Sequence, residues 1–401
     1  MNIKGVMRLV SVGVIALLLS GCWNSRELND LAIVSGIGID LVPETNEFKV
    51  TFQLVNPSST ASSFSASTGQ PSIVVVSSTD KTLFGALRRA SKRVTRQLFF
   101  AHTQLVIVGE SLARSGINDV FDIFERSHEL RLNSAVLVAY HSDAASVLKI
   151  LTSIESLPSL GMVKKTQNTS RVWGENRTVS VFDIINGITG EGDLTINGVS
   201  VQGDPSEGMK KSNMEQTVSQ AGTAMHGLGA FREGKLVYWM EDSEARGTQW
   251  LLNRIEETIL NIDSEDKKES VAVNIVYSRT KVKIDIQDGL PVFHVYISEE
   301  GIVNETDGFA DLSKREEIVK LEQELQKQTG KEVKQALQMA QQMESDIFNF
   351  GNALKRSDPQ GWASLDKNWG HIFAQGKLDL HVEAYIRSTG MSLKPYHPAP
   401  E

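Results

Sequence analysis

Residues 281–297 read KVKIDIQDGLPVFHVYI, and through most of this stretch an apolar side chain alternates with a polar one. The alternating apolar positions are Val282, Ile284, Ile286, Phe293, Val295 and Ile297. Residues 378–386, LDLHVEAYI, repeat the pattern. Successive side chains of a strand point to opposite faces, so this alternation predicts strands with one buried and one wet face. Such strands are typical of an antiparallel sheet.

A long amphipathic helix is predicted between these strands, from Ser313 to about Leu354. Apolar residues recur there at spacings of mostly three and four, the period of a helix with one buried stripe. Ser313 and Glu316 fit a capping box at its start, and Gly330 is a candidate kink. Packing along the sheet is favoured over a dimeric coiled coil, because the polar pair at 328–329 interrupts the seam that a coiled coil needs.

The first half of the chain is predicted to be an α/β domain. Residues 31–56 indicate a hairpin, and a Ser-rich segment at 58–72 has little to bury. Strand-like and helix-like stretches then alternate, which is typical of an α/β fold. Residues 153–202 are predicted as a small subdomain, with a helix near 181–185 and a strand near 194–201.

The N-terminus has the pattern of a lipoprotein signal peptide. Lys4 and Arg8 are the only charged residues among the first 25, and residues 9–20 are almost wholly apolar. That stretch is too short to span a bilayer, which needs about 20 residues. It is followed by Leu-Ser-Gly-Cys, and Cys22 is the sole cysteine of the chain. The pattern predicts cleavage before Cys22 and attachment of lipid, with acyl chains such as palmitate, to its thiol.

These segments together predict the organisation of the chain. Residues 203–221 lack apolar periodicity and contain Gly, Pro, Ser and Lys, which indicates a linker. The predicted order is a signal peptide at 1–21, an N-terminal domain at 22–202, the linker, and a C-terminal domain at 222–401. The fold class is α+β: an N-terminal α/β domain with a small subdomain, then a C-terminal domain of antiparallel sheet packed with a long helix.

The composition restricts the kind of partner and the source of stability. The chain has 41 Lys and Arg against 49 Asp and Glu, a net charge of −8, and the signal peptide carries two of the positive charges. An acidic surface argues against nucleic acid as a partner. With its one cysteine modified by lipid, the chain forms no disulfide, so its stability must come from hydrophobic cores.

No catalytic or metal-binding set emerges from the sequence. Residues 229–235, GAFREGK, resemble the opening of a phosphate-binding loop, but Leu236 follows where a hydroxyl is needed, so a hairpin turn is predicted. Gly36 and Gly38 lack the third glycine of a dinucleotide site. The eight histidines are scattered and no serine stands in a nucleophile elbow. The prediction is a protein without enzymatic activity and without a cofactor.

Two charged stretches are candidates for contact with partners. Residues 80–97 have helical spacing, and the second half of this stretch contains a cluster of basic residues: Arg88, Arg89, Lys92, Arg93 and Arg96. This face would suit anionic lipid headgroups or an acidic partner, and the simpler alternative is a solvated helix face. Arg89, Arg93 and Arg96 are taken as the candidate partner-binding residues. An acidic stretch, Glu241, Asp242 and Glu244, fits a solvated helix start better than a calcium site.

Several stretches resemble a known family. Residues 21–34, GCWNSRELNDLAIV, and 36–40, GIGID, closely resemble the start of the C-subunit lipoproteins of bacterial spore germinant receptors, the GerAC type. The resemblance departs at Asn24-Ser25, where charged residues are expected, and in the Ser-rich segment. It continues along nearly the whole mature chain in further stretches, at 101–104, 108–113, 131–134, 230–236, 244–250, 345–351 and 362–369.

This resemblance implies a non-enzymatic subunit of a nutrient-sensing receptor, lipid-anchored on the extracytoplasmic face of the spore inner membrane. Its implied partners are two integral-membrane receptor subunits, with which it would help to trigger release of ions and dipicolinate. Two other classes are left open. A solute-binding lipoprotein would have two similar lobes around a cleft, and a tethered hydrolase would have a nucleophile or a metal set.

Overall fold

The molecule, described from a computed structural model, contains two β-sheets. The structure describes residues 30–56, 71–190, 192–264, 267–306 and 311–388, together with Ile3, Gly5 and Met7. Within these ranges one sheet has nine strands and the other has four. Most of the Ser-rich segment 58–72 and the whole of the predicted lipobox lie outside the described residues.

The larger sheet is parallel in its centre and antiparallel towards both edges. Its order is β3-β2-β1-β5-β6-β7-β8-β9, and β4 pairs separately with the start of β1. The pairings β1-β5, β5-β6 and β6-β7 are parallel. The strands are β1 (Leu31–Val42), β2 (Glu47–Val55), β3 (Ile73–Asp80), β4 (Gln97–Phe99), β5 (Leu105–Val108), β6 (Ala135–Ala139), β7 (Leu194–Gly203), β8 (Ala221–Arg232) and β9 (Lys235–Met240).

Helices cover both faces of this sheet, which explains why its central strands are continuously apolar. Val106 and Val108 of β5 point into one core, whereas Leu105 and Ile107 point into the other. The helices of this half are α1 (Leu83–Arg89), α2 (Glu110–Ser115), α3 (Asn118–Arg126), α4 (Ala144–Leu148), α5 (Pro158–Val172), α6 (Val181–Thr189), α7 (Pro205–Gly208) and α8 (Ser212–Glu215).

The segment predicted as a linker, 203–221, contains α7 and α8 and joins two neighbouring strands of the larger sheet. Strand β8 pairs with β7 from Leu194↔Phe231 to Gly203↔Ala221, and β9 pairs with β8. The first strands after the segment therefore complete the first sheet. Composition predicts that the segment lacks long elements, but it does not reveal which sheet the following strands join. The domain boundaries at 202 and 222 stay a prediction.

The smaller sheet has the order β10-β11-β12-β13 and contains one parallel pair. Its strands are β10 (Thr258–Ile262), β11 (Val271–Gln287), β12 (Leu290–Thr306) and β13 (Lys377–Ser388). The hairpin β11-β12 is antiparallel as predicted. Strand β13 instead runs parallel to β12, so the prediction of a wholly antiparallel sheet was wrong in its last strand. A helical crossover lies between β12 and β13, and such a crossover returns the chain in the same direction.

The predicted long helix is shorter than its apolar stripe and is followed by three short helices. The helices of the second half are α9 (Asp242–Leu251), α10 (Arg315–Gln342), α11 (Phe350–Ser357), α12 (Pro359–Leu365) and α13 (Trp369–Ala374). Helix α10 packs on the sheet as predicted and runs through Gly330. Its N-cap is Lys314, and the hydroxyl of Ser313 donates to Asp311, so the predicted capping box is not formed. The α+β class is otherwise confirmed.

Candidate functional site

The predicted lipid attachment residue, Cys22, lies outside the described residues and stays a prediction. The described body begins at Asp30, and Leu31 starts β1. In the ranges that the structure describes, no helix has both the length and the apolar character to cross a bilayer. Leu31 is paired with Gln97 of β4, so these two segments enter the sheet at the same end.

The basic residues 88–96 do not form one helix. Helix α1 ends at Arg89, a short 3-10 turn covers Ala90–Lys92, and β4 begins at Gln97. Pairing of β4 with β1 is a long-range interaction, which local helical spacing could not reveal. Arg88 and Arg89 form ion pairs with Glu129 (3.3 Å) and Asp80 (2.5 Å).

Two of the candidate partner-binding residues lie beyond this helix. Arg93 donates to the carbonyl oxygen of Ser77 at 2.8 Å. Arg93 and Arg96 are exposed, as is Lys92 between them and α1. Arg89, Arg93 and Arg96 are thus all exposed, but they do not lie on one helical face.

The acidic stretch is attached to an aromatic cluster at the carboxyl ends of β5 and β6. Glu241 accepts a hydrogen bond from the Tyr140 hydroxyl (3.3 Å) and pairs with the His226 ring (2.9 Å). The rings of Tyr140 and His226 lie 3.5 Å apart. Burial raises the pKa of Glu244. Glu241 is the N-cap residue of α9, in agreement with the predicted helix start. It also contacts the first sheet, a contact that the sequence did not predict.

A buried ion pair joins α9 to α10. Arg246 donates through two nitrogens to Glu332, at 2.9 Å and 2.5 Å, and also lies 3.4 Å from Glu175. The indole nitrogen of Trp250 donates to Glu332 at 3.3 Å. The Glu332 side chain is fully buried. Leaving either charge alone in this interior would be strongly destabilising, so the pair has a structural role. In the sequence, the stretch 244–250 is noted only because it resembles the family. The sequence does not show that Arg246 pairs with Glu332.

A second buried carboxyl faces α10 from the sheet. Glu299 of β12 accepts from the Thr329 hydroxyl at 2.9 Å and 3.1 Å. Its burial raises its pKa to about 8. At neutral pH this side chain is therefore mostly protonated. Sequence reasoning missed it because alternation places position 299 on the inner face without showing that a carboxyl can be satisfied there.

The stretch 345–351 forms the junction between the two halves. The buried Asp346 carboxylate accepts from the backbone N–H groups of Phe350 and Gly351 and from the indole nitrogen of Trp369, at 3.0, 2.7 and 2.9 Å. The Ser345 hydroxyl donates to Asp193 at 2.8 Å. Burial raises the pKa of Asp346, and these donors act in the opposite direction. The group is a cap that fixes α11 and α13 against the first sheet.

A polar cleft of about 560 Å³ lies at this junction. Its walls include Asp193, Arg232 and Glu344, and Arg232 pairs with Glu344 at 2.9 Å. The ring of His371 also lies 3.3 Å from Glu344. Several glycines also line the cleft. The cleft has the size of a small-molecule site, but its walls are mainly polar, whereas ligand pockets are mostly apolar.

No three His, Cys, Asp or Glu side chains come together as a metal site in the described ranges. Residues 229–235 lie in the β8-β9 hairpin, with Glu233 and Gly234 in the left-handed region at φ 51° and 78°. The phosphate-loop resemblance is thus explained by a hairpin turn, as predicted.

Two of the stretches that resemble the family are in contact with each other. Arg131 donates to the carbonyl oxygen of Ala101 at 3.0 Å, and the Ser134 hydroxyl donates to that of Thr103 at 2.8 Å. The stretches at 101–104 and 131–134 therefore support each other where β5 and β6 begin. Their residues stabilise the fold of the first sheet, which assigns them a structural role.

Comparison with known proteins covers both halves. Residues 24–201 match the family described as "Spore germination protein N-terminal domain", and residues 226–390 match "Spore germination B3/ GerAC like, C-terminal". Spore germination protein KC of Bacillus subtilis (strain 168) is 32% identical over 97% of this chain and 96% of its own. Spore germination protein B3 of the same organism is 26% identical over 93% of this chain and 95% of its own.

A solved structure has the same fold. The crystal structure of the GerBC protein aligns with 88% of this chain and 97% of its own, with a TM-score of 0.55 and 18% sequence identity. Identity at this level supports the architecture alone. The sequence matches decide the family: this chain belongs to the GerAC family of spore germination proteins, as a germinant-receptor C-subunit.

Proposed function

We propose that this chain is a lipid-anchored, non-enzymatic subunit of a spore nutrient germinant receptor, needed for the response to germinants. It is attached through Cys22 to the extracytoplasmic face of the spore inner membrane. There it associates with integral-membrane receptor subunits. The observation that carries the proposal is the agreement between two independent parts of the sequence: a lipobox ends at Cys22, and germination-family matches begin at residue 24.

The proposed mechanism is association, and the anchor makes weak association sufficient. A tether confines the body beside membrane-embedded partners and raises its effective concentration towards about the millimolar range. Interfaces of modest intrinsic affinity are occupied under that condition. The buried charges described above support this view, because Glu332 and Asp346 are each bound by donors of the same chain. Such groups are committed to the fold and are not available to a substrate.

The test is deletion of the gene in its spore-forming host, followed by complementation. Spores are exposed to a panel of nutrients, and dipicolinate release is measured. We expect the deletion to abolish or delay release for at least one nutrient and the intact gene to restore it. Release by a non-nutrient trigger should be unchanged, which serves as the control. Normal responses to every nutrient that the parent strain answers would contradict the proposal.

The polar cleft favours a second candidate, the binding of a small polar solute by this subunit itself. Its volume of about 560 Å³ and its mixed charges would suit such a ligand. Calorimetric titration of the purified chain with the nutrients that trigger germination would test this. Heat of binding that disappears in Arg232→Met, with the fold retained, would support it. An absence of binding heat would leave association as the function.

A further inference from the structure

We infer that the surface formed by residues 84–97 lies against the membrane and binds anionic lipid headgroups, which fixes the orientation of the anchored body. This surface, the basic face, comprises α1, the 3-10 turn and the approach to β4. The inference rests on the proposed lipid anchor at Cys22. It adds a direction to that anchor, because a tether alone leaves the body free to rotate.

The tether joins the body beside the basic face. Leu31 pairs in parallel with Gln97, so the residues before each of them leave the sheet at the same end. Arg96 directly precedes Gln97, just as Asp30 precedes Leu31. Cys22 is nine residues before Leu31, a span of at most about 32 Å when fully extended. The anchor therefore holds this end of the sheet close to the bilayer.

The charge of the basic face is opposite to that of the chain as a whole. The chain has a net charge of −8, so most of its surface is repelled by an anionic membrane. In the basic face, Lys92, Arg93 and Arg96 are exposed and form no ion pair with a described carboxylate. Each such cation is attracted to an anionic surface by an amount that matters when several act together. Turning this face towards the membrane brings these cations next to the anionic headgroups.

The basic face is continuous with β4, the strand that pairs with the first residues of β1. A small cavity of about 70 Å³ is lined by Phe84, Arg88 and Ser91 on one side and by Gln97 and Leu98 on the other. The Phe84 ring is half exposed, and the Arg88 guanidinium lies 4.9 Å from its centre. One aromatic ring among several cations suits the headgroup region. Cores of protein interfaces are instead depleted of charge, which favours lipid over a protein partner.

Two single-cysteine variants test the orientation. Cys22 is the sole cysteine, so once it is lipidated an added cysteine is the only free thiol. Thr95→Cys lies beside the tether, and Thr45→Cys lies beyond the far end of β1, about 36 Å away. Both threonines are exposed, which makes them a matched pair. Each full-length lipidated variant is labelled with a fluorophore and reconstituted into vesicles containing a lipid-borne quencher.

In vesicles of phosphatidylglycerol and phosphatidylcholine we expect strong quenching at position 95 and little at position 45. The difference should shrink in vesicles of phosphatidylcholine alone and at high salt, because screening weakens the attraction. Equal quenching at both positions, or more at 45, would overturn the inference. If the chain does not float with vesicles at all, the proposed anchor fails and the inference fails with it.

Variants that lack positive charges distinguish binding to lipid from binding to a protein partner. Lys92→Gln with Arg96→Gln should lower the ratio of quenched to unquenched Thr95→Cys label at least about tenfold in anionic vesicles. Lys281→Gln with Lys283→Gln removes two exposed cations from β11 and should have no effect. An unchanged ratio for the first pair would overturn the inference. If that pair instead lowers only co-purification with the integral-membrane subunits, the basic face binds protein and the lipid assignment is wrong.

Discussion

Gly247 shows how one missing side chain sets the distance between two helices. It lies in α9, and a Cβ atom there would clash with the backbone of Glu332 and lie 2.9 Å from the Cβ of Ala336. The close approach lets Arg246 reach Glu332 across the contact. We predict that Gly247→Ala destabilises the protein by about 1–3 kcal/mol, the usual cost of overpacking. Denaturant unfolding of the two proteins measures this difference.

Gly330 provides the matched control. It also lies within a helix, but a Cβ there would meet only the Leu380 side chain at 3.7 Å, an ordinary contact. Alanine is favoured over glycine inside a helix by about 0.5–1 kcal/mol. Gly330→Ala should therefore be neutral or slightly stabilising. Equal losses of stability at both positions would show that the α9-α10 contact is not the cause.

Glu299 makes the stability of the molecule depend on pH. Its pKa in the folded state is about 8, above the ordinary value of 4.5, because the side chain is buried. The folded protein thus holds a proton that the unfolded chain releases. The stabilisation is complete below about pH 4.5 and is lost as the pH rises to about 8. Asp40, whose pKa burial raises to about 6, acts in the same direction over a narrower range.

We predict that Glu299→Gln flattens this dependence. The amide cannot ionise and still accepts from the Thr329 hydroxyl. Relative to the parent protein, the variant should gain on the order of a few kcal/mol at pH 8.5 compared with pH 5. Glu383→Gln, at an exposed position of β13, is the control and should leave the pH profile unchanged. Parallel profiles for parent and Glu299→Gln, measured by urea unfolding, would refute the assignment.

At the scale of elements, the packing of α10 on the smaller sheet contributes to the second core. Leu325 is fully buried in it. Leu325→Asp would bury a charge without a partner, and we predict a loss of several kcal/mol and a lower melting temperature. Gln323→Asp lies on the exposed side of the same helix and should change the melting temperature little. Similar melting temperatures for the two variants would show that this helix does not form the core.

Periodicity predicted the elements well but not their partners. The alternation in 281–297 correctly placed β11 and β12, since side-chain period depends only on local backbone geometry. It could not give the direction of β13, because parallel and antiparallel strands can share the same alternation. Likewise β4, three residues long, has no periodic signal at all. It pairs with β1, a contact that lies far away in sequence. The helical prediction for 80–97 is therefore correct for Leu83–Arg89 and wrong for the residues that lead into β4.

The position at which α10 ends could not be predicted from the sequence either, for a different reason. The apolar stripe continues to Leu354, but the helix stops at Gln342 and Glu344 adopts φ 50°. The buried Asp346 then starts a new helix by accepting from Phe350 and Gly351. A carboxyl inside an apolar stripe was the available signal. The carboxyl of Asp346 also accepts from the indole nitrogen of Trp369, 23 residues later, and this partner could not be inferred from the local sequence.

At the scale of the whole molecule, the two family segments share one sheet. Strands β8 and β9 begin the second half, yet they complete the sheet of the first. Phe231 and Leu236 of these strands are buried in the first core. We predict that a fragment of residues 23–240 is soluble and unfolds cooperatively, whereas 23–221 aggregates because β7 loses its antiparallel partner β8 and becomes an open edge. Light scattering and thermal unfolding distinguish the two. If the two fragments were equally soluble and unfolded alike, the result would favour a domain boundary at 202–222.

Both proposals depend on the anchor at Cys22. Cys22→Ala should leave the fold intact, because the described cores begin at Ala32. It should abolish membrane attachment if Cys22 carries the only anchor. An uncleaved signal peptide would itself hold the variant at the membrane, so in a second variant a cleavable secretory signal replaces residues 1–22. That chain should appear in the soluble fraction with an unchanged melting temperature.

Germination should weaken in the strain that carries this second variant, although the body is present and folded. Without the tether, the effective concentration beside the receptor falls from about the millimolar range to that of the free protein. Interfaces of modest affinity then empty, and nutrient-triggered dipicolinate release slows. The fractionation is repeated in a strain that lacks the integral-membrane subunits, because those subunits could retain the body. Attachment that persists there would mean that another part of the chain binds the membrane, and the basic face would be the first place to look.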